Sequence, residues 1–268
     1  MRLCVALIAL IIAWASARFY AARAETLCTL LVEAQTGRVV TSQGDCTSRT
    51  TPASSFKLAL ALMGYDAGIL KDGHTPAWPF RPEYLASHSE WKQTTDPTSW
   101  LANSVVWYSQ VLTTRLGMDR FRAYVEKFDY GNKDVSGNPG KNDGLTEAWL
   151  SSSLQISPAE EVGFVRKMLV GNLPVSTNAV SATMMIVPAW TLADGLVVHG
   201  KTGTGIPRAA DGSLDSAHGV GWFVGWAEQG GKRFVFARLI RQDSLGGAGF
   251  VARDTLKADL PTLLANEH

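Results

Sequence analysis

The sequence predicts an α/β protein of the α+β type: an antiparallel sheet flanked by helices, with an all-helical segment inserted at about residues 73–190. Three patterns predict this fold. A β-hairpin pattern covers residues 25–50, two strand patterns follow each other at 219–226 and 233–240, and helix patterns lie between them. Strands near both ends of a chain, with helices between, favour one sheet closed by the two ends.

The N-terminal elements are two strands and a helix. An apolar run over 27–33 predicts the first strand, and residues 38–41 predict the strand that returns beside it. Residues 56–70 then form an apolar stretch long enough for a helix. We expect this helix to end near Gly68, because glycine is favoured just after a helix C-terminus.

The middle of the chain is predicted to be helical, with one long loop. Residues 104–128 and 158–170 have helical patterns, and Ser157 is the expected N-cap of the second. Residues 131–144 contain four Gly and three Asn, which indicates a loop. A last helix is predicted over 251–264.

Three strands are predicted before that last helix. Bulky apolar residues alternate with Gly and Phe along 219–226, and a Gly-Gly turn joins this strand to 233–240. A short apolar run at 196–199 predicts a strand that precedes both. We therefore expect Lys201 to lie at the end of this short strand, facing a cleft.

The first 24 residues are expected to form a secretory signal peptide. Arg2 gives the positive start and an apolar run follows; cleavage is expected after Ala24, with Ala17 as the alternative site. An uncleaved membrane anchor is the other interpretation, but the run is shorter than the roughly 20 residues of a spanning helix. We expect residues 25–268 to form one periplasmic domain without membrane contact.

The composition favours a packed domain that does not bind nucleic acid. Hydrophobic residues make up 46% of the chain and charged residues 18%. Removal of the expected signal peptide takes away three arginines and no acid, so the net charge changes from +1 to −2. A nearly neutral body argues against nucleic acid or an anionic membrane as the main partner. We expect a monomer or a homodimer.

Two cysteines remain after the expected cleavage, which removes Cys4. In a hairpin centred between Thr36 and Gly37, Cys28 and Cys46 fall almost opposite each other. An exported protein reaches a compartment that permits oxidation. We therefore expect a disulfide that contributes about 3 kcal/mol; the alternative is two unpaired buried thiols.

The residues that carry chemistry begin with an S-x-x-K motif, Ser54 and Lys57, at a predicted helix start. Residues three apart share a helix face, so the amine can reach the hydroxyl. The free N–H groups of a helix N-terminus can hold a developing oxyanion. The motif alone is not specific, because Ser89 and Lys92 also match it in a polar stretch. Taken alone, Ser54 is an ordinary N-cap.

Two further motifs support the first. The K-T-G motif from Lys201 to Gly203 continues with Thr204, and its glycine lets backbone approach a ligand closely. The S-x-V motif begins at Ser104 and ends at Val106. Ser104 is a candidate proton relay, and Val106 a residue that keeps water from a nearby lysine. Alone, K-T-G could be a polar turn and Ser104 a helix cap.

Together and in this order, the motifs resemble those of the class D (OXA-type, oxacillinase) serine β-lactamases. The Y-G-N motif at 130–132, the A-W-L segment at 148–150 and the strand at 221–226 also fit that family, and the resemblance covers about 52–260. Class A enzymes and many transpeptidases carry Asn where this chain has Val106. The resemblance implies the fold of the penicillin-recognising serine enzymes, hydrolysis of penicillin-type β-lactams, and antibiotic resistance.

The resemblance also implies a role for each site residue. Ser54 would attack the lactam carbonyl, and Lys57, carboxylated on its side-chain nitrogen by carbon dioxide, would be the general base. Carboxylation needs a neutral amine, so burial must lower the Lys57 pKa from about 10.4. Trp149 would hydrogen-bond the carbamate, and Ser104, aided by Lys201, would pass a proton to the leaving nitrogen.

The remaining roles implied by the resemblance concern substrate binding. The backbone N–H groups of Ser54 and Thr204 would form the oxyanion hole. The substrate carboxylate would meet Lys201, Thr202 and Arg253. Arg238 and Arg241 are the rival arginines, more simply interpreted as solvated strand residues. The other residues expected at the substrate site are Val106, Leu150, Gly203 and Thr204.

No metal cofactor is expected, and carbon dioxide or bicarbonate is needed only to carboxylate Lys57. The histidines show no ligand spacing; they are His74, His88, His199, His218 and His268. Two alternative functions stay open. A penicillin-binding D,D-peptidase shares S-x-x-K and K-T-G, and a β-lactam sensor domain resembles class D enzymes but needs a membrane-spanning partner segment. Both would keep the acyl-enzyme that a lactamase hydrolyses.

Overall fold

The computed structural model describes residues 24–209, 211–265 and 267. Most of the expected signal peptide, with Cys4 and the rival cleavage site, lies outside the described residues, as does His268. Among the helices of the described residues, none is long and apolar enough to span a membrane.

One antiparallel sheet organises the described part of the chain. Its strands are β1 (Ala24–Glu33), β2 (Val39–Gly44), β3 (Ala189–Thr191), β4 (Val197–Gly205), β5 (Gly219–Gln229) and β6 (Lys232–Gln242). They lie in the order β2-β1-β6-β5-β4-β3. The first strand therefore pairs with the last, which confirms the prediction of a sheet closed by the two ends of the chain.

Helices cover both faces of this sheet. They are α1 (Lys57–Asp66), α2 (Pro97–Asn103), α3 (Val106–Leu116), α4 (Met118–Lys127), α5 (Gly144–Glu147), α6 (Pro158–Leu169), α7 (Thr177–Ile186) and α8 (Ala248–Leu264). Six of those described, α2 to α7, lie between α1 and β3 in the chain. Ser157 caps α6 as expected, and Glu160 completes the capping box.

The long helix predicted over 104–128 is wrong. The chain forms two helices, α3 and α4, which are separated at Gly117 with φ of 80°. Ser104 does not start a helix either: it follows the end of α2 in the left-handed region, with φ of 58°. The apolar pattern continues through both breaks, because each of the helices buries one face in the same core.

The N-terminal hairpin has a different register from the one predicted. Cys28 pairs with Gly44 across β1 and β2, so Cys46 lies two residues beyond the strand partner of Cys28. The chain turns after Gly44, and Asp45 N–H donates to the Leu27 carbonyl at 2.8 Å. This turn brings the sulfur atoms together, and a disulfide joins Cys28 to Cys46, as expected.

The two sheet faces pack against different helices, and β5 shows the alternation directly. Val220, Trp222, Val224 and Trp226 belong to the core cluster that includes α1 and α6. Phe223 and Ala227 belong to the cluster that includes α8. The predicted alternation along this strand is therefore confirmed.

Candidate active site

The S-x-x-K motif forms a tight turn that leads directly into α1. Residues Ala53–Phe56 form a 3-10 turn, and Lys57 is the first residue of α1. Lys57 Nζ lies 2.8 Å from Ser54 Oγ. The spacing of three residues therefore brings the amine within hydrogen-bond distance of the hydroxyl, as the sequence predicted.

Lys57 lies in surroundings that disfavour its charge. The side chain is fully buried. Burial, together with the positive charge of Lys201, lowers the pKa of Lys57 well below its ordinary value. No acidic side chain in the described part of the chain pairs with Lys57. A neutral amine at this position can accept the proton of the Ser54 hydroxyl.

The second S-x-x-K match does not form such a site. Ser89 is the first residue of a separate short turn, Ser89–Trp91, and Lys92 follows that turn; both residues are exposed. Lys57, by contrast, is fully buried, and its Nζ lies 2.8 Å from Ser54 Oγ. Burial therefore distinguishes the Ser54 motif from this chance match.

Lys201 lies in the middle of β4, which runs through the whole K-T-G motif. The prediction that it ends a short strand is wrong, because β4 stays paired with β5 as far as Gly205. Lys201 is buried and donates to Ser104 Oγ at 3.0 Å and to the Thr202 carbonyl at 2.9 Å. Burial lowers the pKa of Lys201 to about 7. The K-T-G lysine and the S-x-V serine therefore share one site.

The backbone at Ser104 explains how the S-x-V motif reaches this site. Ser104 lies between α2 and α3 with a left-handed conformation, which is uncommon for a residue other than glycine. Unusual backbone of this kind is concentrated at functional sites. Val105 is buried, and Val106, the first residue of α3, is half-buried.

The K-T-G glycine is in close contact with the turn Ala53–Phe56, which carries Ser54 and is called the nucleophilic turn below. A methyl group on Gly203 would come within 2.9 Å of the Pro52 carbonyl oxygen, 3.0 Å of the Ser55 nitrogen and 3.3 Å of the Ser54 nitrogen. Only glycine permits backbone to approach this closely. The main chain of β4 therefore lies directly beside the Ser54 N–H, and the next residue is Thr204.

The Thr204 side chain contacts the helix on the other face of the sheet. Its hydroxyl oxygen accepts a hydrogen bond of 2.9 Å from the Gly249 N–H, in the first turn of α8. A methyl group on Gly249 would come within 2.6 Å of the Gly203 carbonyl oxygen. The start of α8 therefore holds β4 in place on the side away from Ser54.

Trp149 is fully buried, and its ring packs against Phe56 and Phe121 with centroid distances of 5.8 and 6.3 Å. Its indole nitrogen Nε1 is buried and has no hydrogen-bond partner among the described residues. An unpaired buried donor is unusual, because such groups are nearly always satisfied. The neighbouring Leu150 is half-buried.

One residue of this site, Thr51, was not identified from the sequence. Its hydroxyl donates to the Trp149 carbonyl at 3.0 Å and accepts from Ser151 N–H at 2.9 Å. Its carbonyl accepts from Trp222 Nε1 at 2.9 Å. Thr51 thus joins the Trp149 segment and β5 to the residues that precede Ser54. A threonine before a proline gives no pattern that predicts this role.

Glu161 was also missed as a site residue. Its carboxyl oxygen Oε1 lies 2.6 Å from Ser55 Oγ and 2.8 Å from the Tyr130 hydroxyl oxygen. Burial raises the pKa of Glu161 to about 7. In the sequence, Glu161 appears as one of two acids in the first turn of a helix, a position where acids are common. Only its burial distinguishes it from Glu160.

The proposed carboxylate-binding arginine lies on the α8 side of β4. Arg253 pairs with its neighbour Asp254 through two nitrogens, at 2.8 and 3.2 Å. Its guanidinium lies 5.0 Å from the centroid of the Phe250 ring and 5.7 Å from that of Trp190. Within the described residues, the Arg253 side chain makes its hydrogen bonds to Asp254 and makes none to Thr202.

The two rival arginines are both occupied elsewhere. Arg238 is buried, donates to Thr29 at 3.1 Å and pairs with Asp259 at 2.7 Å. Arg241 pairs with Glu25 at 2.8 Å. Both interactions tie sheet strands to their neighbours, so these arginines have structural partners.

No group of three or more His, Cys, Asp or Glu side chains within the described ranges could hold a metal ion. His199 stacks on Trp226 with a centroid distance of 4.6 Å. The carboxylate nearest to His74 is that of Asp96, and the carboxylate nearest to His218 is that of Asp215.

The chain resembles known proteins over nearly its whole length. It matches the family model of the penicillin binding protein transpeptidase domain over residues 27–260. β-Lactamase OXA-9 of Klebsiella pneumoniae is 46% identical over 250 residues, 91% of this chain and 90% of OXA-9. β-Lactamase OXA-1 of Escherichia coli is 37% identical over 216 residues, 80% of this chain and 75% of OXA-1.

A solved structure agrees with the sequence comparisons. The crystal structure of the OXA-427 class D β-lactamase has a TM-score of 0.84 and 48% identity, and covers 89% of this chain and 98% of that chain. The fold and the Ser54–Lys57 site thus define a serine enzyme of the penicillin-recognising class. Within that class, the chain belongs to the OXA-type class D serine β-lactamases. The family expected from the motifs is confirmed, and so is its fold.

Proposed function

We propose that this enzyme hydrolyses the β-lactam ring of penicillin-type antibiotics through an acyl-enzyme on Ser54, and so confers resistance. The observation that carries the proposal is the contact of 2.8 Å between Ser54 Oγ and the buried Lys57 Nζ. A serine hydroxyl is a weak nucleophile until a neighbouring base accepts its proton. Lys57 is close enough to do so, and its lowered pKa favours the uncharged amine.

Carboxylation of Lys57 by carbon dioxide fits the residues around it. The reaction requires a neutral amine, which burial provides. It also adds buried oxygen atoms that need a donor, and Trp149 Nε1 is a buried donor that lacks an acceptor in the described structure. Lys57 would carry the carboxyl group and Trp149 would hold it. Bound there, the group supplies a base that is effective at neutral pH.

Acylation then uses five residues of this chain. The Ser54 hydroxyl loses its proton toward the Lys57 side chain, and Oγ attacks the lactam carbonyl carbon. The N–H groups of Ser54 and Thr204 stabilise the oxyanion. Ser104 donates a proton to the leaving ring nitrogen as the C–N bond breaks. The Lys201 ammonium, 3.0 Å from Ser104 Oγ, lowers the cost of this transfer.

Deacylation reuses the same base. The Ser54 proton taken up in acylation passes on to Ser104 and replaces the proton given to the ring nitrogen, so the Lys57 side chain can accept a proton from water. The water oxygen attacks the ester carbonyl carbon, the bond to Ser54 Oγ breaks, and Oγ takes the proton back from Lys57. The substrate carboxylate binds at Lys201, Thr202 and Arg253. The apolar side chains of Val106 and Leu150, both half-buried, restrict water near Lys57.

The cellular setting is part of the proposal. Residues 1–24 form a cleaved signal peptide, residues 25–268 form the mature enzyme, and the protein acts in the periplasm. It works as a monomer or homodimer without membrane contact. The disulfide between Cys28 and Cys46 supports an oxidising compartment.

Turnover of the chromogenic cephalosporin nitrocefin, with and without added bicarbonate, tests the function. We expect many turnovers per enzyme, stimulation by bicarbonate, and loss of activity at low pH, where the carboxylated amine decomposes. Ser54→Ala should be inactive. The double variant Ser89→Ala/Lys92→Ala is the matched control, because it removes the exposed S-x-x-K match and should keep wild-type turnover.

The same measurement separates the alternatives. A penicillin-binding D,D-peptidase or a β-lactam sensor domain would form the acyl-enzyme on Ser54 once and then stop. A stoichiometric burst without further turnover would therefore contradict the proposed hydrolysis, even if the nucleophile were assigned correctly.

A further inference from the structure

A buried carboxyl group lies directly behind the nucleophilic turn. Glu161, in the first turn of α6, is fully buried, and its Oε1 contacts both Ser55 Oγ and the Tyr130 hydroxyl. Its other oxygen, Oε2, is buried without a hydrogen-bond partner in the described part of the chain. Ser55 directly follows Ser54, so Glu161 touches the nucleophilic turn from within the core.

The hydrogen atoms in this cluster can be counted. Glu161 Oε1 lies 2.6 Å from Ser55 Oγ and 2.8 Å from the Tyr130 oxygen, and Ser55 Oγ lies 2.8 Å from the Pro52 carbonyl oxygen. Each of these three oxygen–oxygen contacts needs one hydrogen. The hydroxyls of Ser55 and Tyr130 supply one each. The third must lie on Glu161 itself.

When Glu161 is uncharged, all three contacts can be hydrogen bonds, and each group donates to the next one in the chain. Tyr130 donates to Glu161 Oε1, Glu161 donates to Ser55 Oγ, and Ser55 donates to the Pro52 carbonyl. An ionised Glu161 would leave two of these oxygen atoms facing each other at less than 3 Å without a hydrogen. Burial favours the same uncharged form and raises the pKa of Glu161 to about 7, although hydrogen bonds from Ser55 and Tyr130 act in the opposite direction.

Within the described residues, Glu160 and Tyr130 are the titratable groups that affect the pKa of Glu161. On its own helix, the negative charge of Glu160 also raises the Glu161 pKa, and the helix N-terminus favours the ionised form. Tyr130, from the loop after α4, is the titratable neighbour, and burial raises its own pKa far above its ordinary value. The strands packed against α6 present apolar core residues, which include Leu30, Val224 and Ala237.

The last acceptor of this cluster connects it to the catalytic residues. The Pro52 carbonyl also accepts from the Ser55 N–H at 3.1 Å. A methyl group on Gly203 would come within 2.9 Å of this same oxygen. The Pro52 carbonyl is thus fixed at the contact between the nucleophilic turn and β4. The geometry of the oxyanion hole depends on that contact.

We propose that Glu161 is a positioning residue for the nucleophilic turn and that it acts in its uncharged form. When it ionises, one hydrogen bond behind Ser54 is lost, and a negative charge is left in the core beside the turn. Activity should therefore fall as Glu161 loses its proton. The inference rests on the proposed role of Ser54 as the nucleophile.

The test compares pH profiles of kcat/KM for nitrocefin between pH 6 and 8.5. Glu161→Gln cannot ionise, and its amide nitrogen carries two hydrogens, so all three contacts can keep one. Between these pH values, kcat/KM of the wild type should fall at least about fivefold more than that of E161Q. Lys201 titrates in both proteins, so its effect cancels in this ratio. Glu126→Gln, at an exposed acid of α4, is the matched control and should follow the wild type.

A second variant gives an independent reading if E161Q is unstable. Tyr130→Phe removes a hydrogen bond that favours the ionised carboxylate, so the alkaline decline should move to higher pH. Coincident profiles of wild type, E161Q and Y130F, within about twofold at each pH, would overturn the inference. Absence of wild-type turnover at every pH would instead contradict the proposed function.

Discussion

The side-chain nitrogen of Lys201 lies 3.0 Å from Ser104 Oγ, although the two residues stand 97 positions apart. Lys201 is fixed within a paired strand, and Ser104 is held by a left-handed backbone between two helices. A buried lysine that contacts a serine hydroxyl can supply and replace the proton that this serine donates. The pair therefore has the geometry of a proton relay.

Ser104→Ala removes this relay but keeps the nucleophile and its base. We expect kcat/KM for penicillins to fall about 100-fold or more, the usual size of a lost general acid. Asn103→Ala, at the exposed preceding residue, is the control and should behave as wild type. Stopped-flow acylation rates provide the measurement. Equal rates for S104A and wild type would remove Ser104 from the mechanism.

Gly203→Ala should separate β4 from the nucleophilic turn, because the new methyl group meets backbone atoms at 2.9 and 3.0 Å. We expect kcat to fall at least about tenfold as the Thr204 N–H shifts from the oxyanion position. Gly163→Ala, in α6, is the control because its methyl group would meet no atom within 4 Å. Wild-type kcat in G203A would show that this contact is unimportant.

Trp149→Phe removes an indole donor that has no partner among the described residues, and it keeps most of the ring volume. With ¹³C-labelled bicarbonate, the wild type should show a carbamate resonance by NMR, and W149F should show a weaker one at the same concentration. Trp226→Phe is the control, since Trp226 Nε1 already has a partner, Glu228, at 3.1 Å. Equal carbamate signals in W149F and wild type would exclude Trp149 as the group that holds it.

Arg253→Ala tests the proposed carboxylate-binding site. We expect KM for penicillins to rise about tenfold, which corresponds to about 1.4 kcal/mol of binding, with a smaller change in kcat. Arg241→Ala should leave KM unchanged, because Arg241 already pairs with Glu25. The reverse pattern would assign the substrate carboxylate to Arg241.

The sequence predicted the members of the site better than their local structure. Spacing alone indicated that Lys57 would reach Ser54, because residues three apart on a helical turn share a face. The contact between Ser104 and Lys201 came only from the order of the motifs within a family. Its geometry depends on a strand longer than the apolar run suggested and on a left-handed serine, neither of which has a local pattern.

Glu161 and Thr51 could not be predicted, because their roles come from tertiary burial. A glutamate in the first turn of a helix is ordinary, and the sequence does not reveal that Glu161 faces the core. The disulfide was predicted correctly from an incorrect register. The hairpin pairs Cys28 with Gly44, and the turn after that glycine brings Cys46 back to Cys28.

The central claim is that Lys57 serves as the base in both halves of the reaction on Ser54. Intact-protein mass spectrometry of a mixture with a penicillin, followed over time, tests it most directly. We predict a short-lived adduct on wild type, mapped to Ser54 by peptide analysis. Lys57→Ala should form the same adduct slowly and retain it long after wild type has cleared it. An adduct on another residue, or clearance by K57A at the wild-type rate, would contradict the account.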